Sequence, residues 1–402
     1  MEFYRETWVE VNLNAIGLNT KQLKAHIPDE TQIMAIVKAD AYGHGAYPVA
    51  FEALSSGATW LGVALLDEAL SLRQKGIKAP ILVLGWTRPA DIAIAAEHNI
   101  SLTVFQAEWI KQAREQYQSQ MPVFLHIKCD TGMGRIGIRE TEEMDALADA
   151  FRADPRFIVE GIFTHFATAD ENDPTYFNKQ YQRFTTMLTQ LMDRGINPNL
   201  VHCANSAAAL KHPDKLFNMV RYGIAMYGLS PSEQMKSDLP FQLQQAFSLK
   251  TSLVHVKQIE AGESVSYGAT FTATEPTWIG TLPIGYADGW LRRLAGHATV
   301  LVKGKRFPIV GRICMDQMMI QLDAPYPLGE EVTLIGSSGN EYVSIDEISG
   351  YLGTINYEVP CMINHRVPRL YFKNDERIAI SNPIIDSASI LEEKDELDKK
   401  LD

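Results

Sequence analysis

The residue of plainest chemical use is Lys38. It closes the apolar run IMAIVK (33–38) and leads into a Gly-rich turn, ADAYGHG, that carries Tyr42 and His44. A lysine among apolar neighbours loses hydration, which favours the neutral amine and lowers a reference pKa of about 10.4. The neutral amine is the form that attacks the aldehyde of a cofactor. A lone lysine at a strand end ordinarily snorkels to solvent, so the case rests on its company. Lys128, His165, Asn205 and Arg221 hold similar places, at or just after the C-terminal end of an apolar run or on the last of them. Any one could be a cap or a solvated loop residue; five placed alike read as a site.

Elements must exist to bring them together. The runs IMAIVK (33–38), WLGVAL (60–65), PILVLGW (80–86), SLTVF (101–105), PVFLHIK (122–128), FIVEGIFTH (157–165), LVHCAN (200–205) and MVRYGIAMYG (219–228) are continuous rather than alternating. That pattern marks strands buried on both faces, as in a parallel sheet. Amphipathic stretches such as 107–118 and 174–195 lie between them. Such a rhythm predicts an α/β fold with an N-terminal (β/α)8 TIM-type barrel over residues 10–238, in which all five polar residues converge on one mouth. A doubly wound open sheet is the alternative. After residue 240 short strands and Gly-rich turns take over, so residues 1–9 plus 239–380 are expected to form a mostly β domain. The opening WVEVNL is assigned there because a barrel needs no ninth strand. Residues 381–402, ending in LEEKDELDKKLD, read as a charged tail, either a short surface helix or a frayed end.

The 402 residues exceed what one core usually holds. A net charge of -12 argues against nucleic acid, whose phosphates need clustered Lys and Arg. Cys129, Cys203, Cys314 and Cys361 form no CxxC pair, so neither a disulfide framework nor a metal site is expected, and a reducing cytoplasm fits. The charged N-terminus lacks a signal-peptide core, and no apolar run reaches the roughly 18 residues of a membrane helix, so no membrane association is expected.

VKADAYGHG resembles the pyridoxal-phosphate attachment segment of the alanine racemase family. The resemblance continues in order through DTGMGRIG (130–137), THFATAD (164–170), CANSAA (203–208), RYGIAMYG (221–228), SYGATF (266–271), GYADGW (285–290), GRICMDQ (311–317) and YEVPCMINHRVPRLY (357–371). It spans nearly the whole chain, from about residue 5 to 372. It implies that pyridoxal 5'-phosphate is the cofactor and that Lys38 binds it covalently and serves as base on one face of the substrate Cα. Tyr267 would be the base on the other face, because a single base would have to cross a planar intermediate. A phenol is a poor base at neutral pH, and the resemblance assigns His165 and Arg221 to the relay that stabilises its phenolate. Arg221 would also meet the pyridine nitrogen; a guanidinium only donates, so that nitrogen would stay unprotonated.

The resemblance further implies phosphate contacts from Tyr42, Ser206, Tyr357 and the N–H groups of Gly223 and Ile224, with Asn205 orienting neighbours. Arg135 would stand near the cofactor's phenolic oxygen and the substrate carboxylate. Lys128 matches a lysine carbamylated in many members, whose carbamate would hold Arg135. Met315 and Asp316 would meet the substrate carboxylate, and Tyr286 would stand at the site entrance. Cys129 departs from the aliphatic residue expected beside Lys128. The expected substrate is alanine, the expected assembly a homodimer with shared sites, and the expected role D-alanine supply for peptidoglycan. A racemase of serine or of broader specificity, a barrel-plus-β decarboxylase and a non-catalytic cofactor carrier are the competing readings. Arg221 speaks against the decarboxylase, which uses a carboxylate there. Tyr267 and the second domain speak against the carrier.

Overall fold

The computed structural model describes residues 3–386, so the charged stretch 387–402 lies outside the described residues. Two compact units divide the chain: residues 15–41 with 46–245, and residues up to 14 with 42–45 and from 246 onward.

In the first unit eight parallel strands follow the predicted apolar runs. They are β2 (Gln32–Ile36), β3 (Trp60–Val63), β4 (Ile81–Val83), β5 (Ile100–Val104), β6 (Val123–Lys128), β7 (Phe157–Phe163), β8 (Leu200–His202) and β9 (Met219–Tyr222). β1 (Thr7–Asn12) belongs to the second unit. Each of β2 to β8 neighbours the next in sequence, and β9 pairs with β2. A doubly wound sheet would reverse its order midway; here the last strand meets the first, as in a barrel. The gap between β8 and β9 is bridged by the Arg221 N–H, which donates to the Ala204 carbonyl at 3.0 Å. The result is an eight-stranded near-barrel. Its strands are apolar on both faces because helices cover the outside and side chains fill the inside, and every residue of β3, β4 and β5 is buried.

The second unit is mostly β. Its strands are β1, β10 (Phe247–Ser252), β11 (His255–Ile259), β12 (Ser264–Val265), β13 (Phe271–Thr272), β14 (Thr277–Leu282), β15 (Thr299–Val302), β16 (Lys305–Val310), β17 (Met318–Leu322), β18 (Glu331–Ser338), β19 (Glu341–Val343), β20 (Arg369–Lys373) and β21 (Glu376–Ser381). β1 lies between β10, antiparallel, and β20, parallel. Its ladder runs on to Asn12, past the boundary expected at residue 9. Thr7, Val9 and Val11 face the core in the period-two alternation of a strand wetted on one side.

Two details matter for chemistry. The two-stranded ribbon β12–β13 carries the turn that holds Tyr267. Val265 and Phe271 anchor that ribbon to a core of Ile259, Ala273, Ile279, Val310 and Met319. The segment 42–45 packs on β20: a Cβ on Gly45 would lie 1.8 Å from the Tyr371 hydroxyl, so only glycine fits there.

Candidate active site

Lys38 stands just past β2, at the barrel's C-terminal end, followed by an unusual backbone. Ala39, Asp40, Ala41 and Tyr42 have φ of 52, 50, 54 and 52°, a full left-handed turn without a glycine. Each non-glycine residue in that region costs on the order of 1 kcal/mol, so the surroundings must impose it. Three bonds do so: Ala39 N–H donates to Glu68 Oε1 (2.6 Å), Ala41 N–H to the Val37 carbonyl (2.9 Å) and Ala46 N–H to Asp40 Oδ1 (2.7 Å).

Arg221 lies on β9, beside β2, with Met34 as its ladder partner. It is buried, and its two terminal nitrogens make five hydrogen bonds. Nη1 donates to His202 Nδ1 (2.9 Å) and the His202 carbonyl; Nη2 donates to the carbonyls of Thr164 and Cys203 and to His165 Nδ1 (3.3 Å). Its Nε–H has no partner among the described residues and is the donor left for a ligand. Burial lowers its pKa to about 10, so it remains a cation at neutral pH.

Because a guanidinium only donates, His165 Nδ1 must accept, which leaves its proton on Nε2. Burial first, then the charges of Arg221, Arg135, Lys128 and Lys38, hold this imidazole well below its ordinary pKa, so it is neutral. Gln180 fixes the segment: it donates to the His165 carbonyl and accepts from Ala167 N–H.

Lys128, buried on β6, donates to the Cys129 carbonyl at 2.7 Å and lies 5.5 Å over the Phe163 ring. Burial, aided by Arg221 and Arg135, lowers its pKa to about 8. Arg135 is exposed and makes no hydrogen bond to another described residue. Cys129 is buried and its thiol is pushed up to about 12, which makes it inert packing.

On the far side of β9, Asn205 caps the helix Ser206–Lys211 by accepting from Ala208 N–H (3.0 Å). Ser206 Oγ accepts from Gly223 N–H at 2.9 Å, so its own hydrogen is free to donate elsewhere. Ile224 opens a short 3-10 helix, where an N–H has no acceptor within the helix. A hydroxyl and a helix-start N–H make a donor set suited to an anion.

The second unit gathers the remaining candidates in two groups. Tyr42 and Tyr357 are neighbours, ring centres 6.3 Å apart, and burial raises the Tyr42 phenol above its ordinary value. Tyr267, Tyr286, Met315 and Asp316 form the other group. Ser266 Oγ donates to the Arg312 carbonyl, while Tyr286 N–H and Ala287 N–H donate to the carbonyls of Cys314 and Met315. These bonds tie the three loops together. Tyr267 is 70% exposed and Met315 53%.

Residues the sequence reading did not single out support this patch. Arg366 donates to Asp316 Oδ1 (2.8 Å), and Arg5 forks onto the buried Asp288 carboxylate (2.7 and 3.0 Å). Asp288 in turn accepts from Gly285 N–H. Both Asp288 and Arg366 sit inside quoted motifs, GYADGW and HRVPRLY, so the signal was present but unresolved to residues. His202, next to Arg221, was likewise hidden in LVHCAN.

The fold and these clusters define a two-unit chain: a near-barrel with a cluster of cations at its strand ends, and a β unit presenting an exposed tyrosine. Residues 11–231 match the family model "Alanine racemase, N-terminal domain", and residues 246–371 match "Alanine racemase, C-terminal domain". The chain belongs to the alanine racemase family. An alanine racemase of Geobacillus kaustophilus is 57% identical over 95% of this chain and 99% of its own. The crystal structure of alanine racemase from Bacillus anthracis with bound L-Ala-P superposes with a TM-score of 0.94 at 50% identity, covering 96% of this chain and all of that one. A histidine racemase from Leuconostoc mesenteroides also shares the fold, with a TM-score of 0.86 at 34% identity over 92% of this chain and 99% of that one.

Proposed function

We propose that this chain interconverts L-alanine and D-alanine with pyridoxal 5'-phosphate bound at Lys38, as D-alanine supply for peptidoglycan in the cytoplasm. The observation that carries the reading is Arg221: a buried cation whose terminal nitrogens are fully engaged and whose Nε–H is left to meet a ring nitrogen. The donor set beside the end of β9 suits the cofactor's phosphate through Ser206 and Ile224, with Gly223 N–H holding the Ser206 hydroxyl in place, Tyr42 and Tyr357 as further hydroxyls and Asn205 shaping the helix start.

When bound, the cofactor delocalises the electron pair left at the substrate Cα, which makes that proton removable. Lys38 takes or returns the proton on one face, and Tyr267 does so on the other. His165, with its proton on Nε2, is set to donate to the Tyr267 oxygen and so stabilise the phenolate, while Arg221 holds the tautomer that allows it. The substrate carboxylate is met by Arg135 and by the Met315 N–H, while Asp316, paired with Arg366, fixes the loop next to Met315. Tyr286 narrows the approach. We also propose a homodimer in which Tyr267, Tyr286, Met315 and Asp316 serve the barrel of the other subunit; their exposure in the single chain supports this.

A second reading has one specific observation behind it. The histidine racemase shares the fold at 34% identity, so the architecture admits other side chains. The higher identity to alanine racemases favours alanine. The test is chiral analysis after the cofactor-loaded protein is incubated with single L-amino acids. Accumulation of D-alanine toward equal amounts of both enantiomers, well ahead of D-serine or D-histidine, is expected. Faster turnover of another amino acid would overturn the assignment, and a protein that binds cofactor yet racemises nothing would be a carrier.

A further inference from the structure

Behind Arg221 a line of hydrogen bonds runs through the barrel interior, and no role assigned above uses it. Arg221 Nη1 meets His202 Nδ1 at 2.9 Å, His202 Nε2 meets His126 Nδ1 at 3.0 Å, and His126 Nε2 meets Glu160 Oε2 at 3.2 Å. Ser101 Oγ donates to the same Glu160 oxygen at 2.5 Å. His126 and His202 are wholly buried, whereas the Glu160 side chain is 22% exposed.

The ends of this line dictate its polarity. A guanidinium cannot accept and a carboxylate cannot donate. His202 Nδ1 must therefore accept, its Nε2–H donates to His126 Nδ1, and His126 Nε2–H donates to Glu160. Every hydrogen points from the cation toward the anion. Both imidazoles are then neutral, with lone pairs turned to Arg221 and N–H groups turned to Glu160, so they polarise in one sense.

The backbone is shaped to make the line possible. The β6–β7 ladder slips between Leu125 and His126: Leu125 pairs with Val159 but His126 with Gly161, leaving Glu160 as the extra residue of a bulge. Bulges redirect a side chain. A Cβ on Gly161 would lie 2.3 Å from His126 Nδ1, so the ring occupies space that only a glycine leaves open. Phe163 stacks on His202 at 4.8 Å and 3°, and Trp60 meets His126 edge-on at 5.6 Å.

We infer that His202, His126 and Glu160 are positioning residues that hold Arg221 in place and relay a counter-charge to it from β7, so that its Nε–H stays available to a ligand. This rests on the reading of Arg221 as the partner of the cofactor ring nitrogen.

The first test is nitrogen-15 NMR of histidine-labelled, full-length, cofactor-free protein, with His126→Gln and His202→Gln used for assignment. Both rings should show a protonated Nε2 and an unprotonated Nδ1. A proton on Nδ1 of either ring, or an imidazolium at neutral pH, would overturn the inference. The second test is kinetic and uses Glu160→Leu, which removes charge and acceptor, and Glu160→Gln, which keeps an acceptor oxygen. The leucine variant should lose about tenfold in kcat with KM for alanine within about twofold, and the glutamine variant should lose less. Unchanged kcat in a folded leucine variant would overturn it. The parent reading is tested apart from this: cofactor-loaded Arg221→Gln should shift the bound cofactor's absorbance, and an unshifted spectrum removes that reading while leaving the tautomer result intact.

Discussion

Lys128 is a buried amine beside two guanidinium groups, and the chemistry open to it follows from its charge state. With a pKa lowered to about 8, a fraction of it is neutral at physiological pH, and a neutral amine adds carbon dioxide. The carbamate so formed would be an anion beside Arg135, which makes no hydrogen bond to another described residue. We predict that Lys128 is carbamylated in the working enzyme. Labelled bicarbonate should give a carbamate carbon signal that grows from pH 6 to pH 9 as the amine loses its proton, and that vanishes in Lys128→Ala. Activity of the alanine variant should fall about tenfold and recover in part with added chloride or acetate, which stand in for the anion. A signal indifferent to the substitution would place the label elsewhere. Arg221 supports a second prediction. Arg221→Glu should protonate the cofactor ring and strengthen it as an electron sink, raising pyruvate formation relative to racemisation. An unchanged ratio of pyruvate to D-alanine would sink that argument. Lysine, arginine and tyrosine of this kind are legible in sequence because ordered motifs carry them. His202 and His126 were not, since a histidine on an apolar strand gives no hint of what its ring faces.

At the scale of elements, the strands announced themselves and the turn after Lys38 did not. Continuous Val/Ile/Leu runs force burial on both faces, which fits a barrel or a doubly wound sheet alike, and the pairing of β9 with β2 decides for the barrel. The Gly-rich stretch 37–45 predicted a turn at its glycines, and Gly43 and Gly45 do have positive φ, yet the left-handed backbone already begins at Ala39 and runs through Tyr42. Local preference opposes that conformation, and tertiary bonds from Glu68 and Asp40 override it. The strain has a measurable consequence. Ala39 is exposed, so glycine there gives up little packing while removing on the order of 1 kcal/mol of backbone strain, set against a similar gain in unfolded-state freedom. Ala93, also exposed but in the right-handed helix Ile92–Glu97, should lose about 1 kcal/mol on the same change. Urea denaturation should therefore separate Ala39→Gly, close to wild type, from Ala93→Gly. Equal losses would show that the left-handed turn carries no strain.

The whole molecule raises the question of which chain completes which site. The barrel cluster holds the cations Arg221 and Arg135, the lysines Lys38 and Lys128, and a neutral His165 with its proton on Nε2. The β unit displays Tyr267 at 70% exposure, with no cation bonded to its hydroxyl among the described residues. A phenol serves as a base near neutral pH only when something donates to it and stabilises its phenolate. In a closed two-fold dimer the same surface meets its partner twice, so two half-sites become two whole ones. If each site takes Lys38 from one subunit and Tyr267 from the other, Lys38→Ala and Tyr267→Phe homodimers are both inactive. A hybrid dimer then carries one wild-type site and one doubly defective site. Random exchange of equal amounts makes half the dimers hybrid, so about a quarter of wild-type activity should return. The measurement is D-alanine formation before and after exchange, with hybrid content followed by mass-tagged subunits. Recovery in proportion to hybrid content means the site is shared. Hybrids that form without activity would mean that each chain pairs its own Lys38 with its own Tyr267.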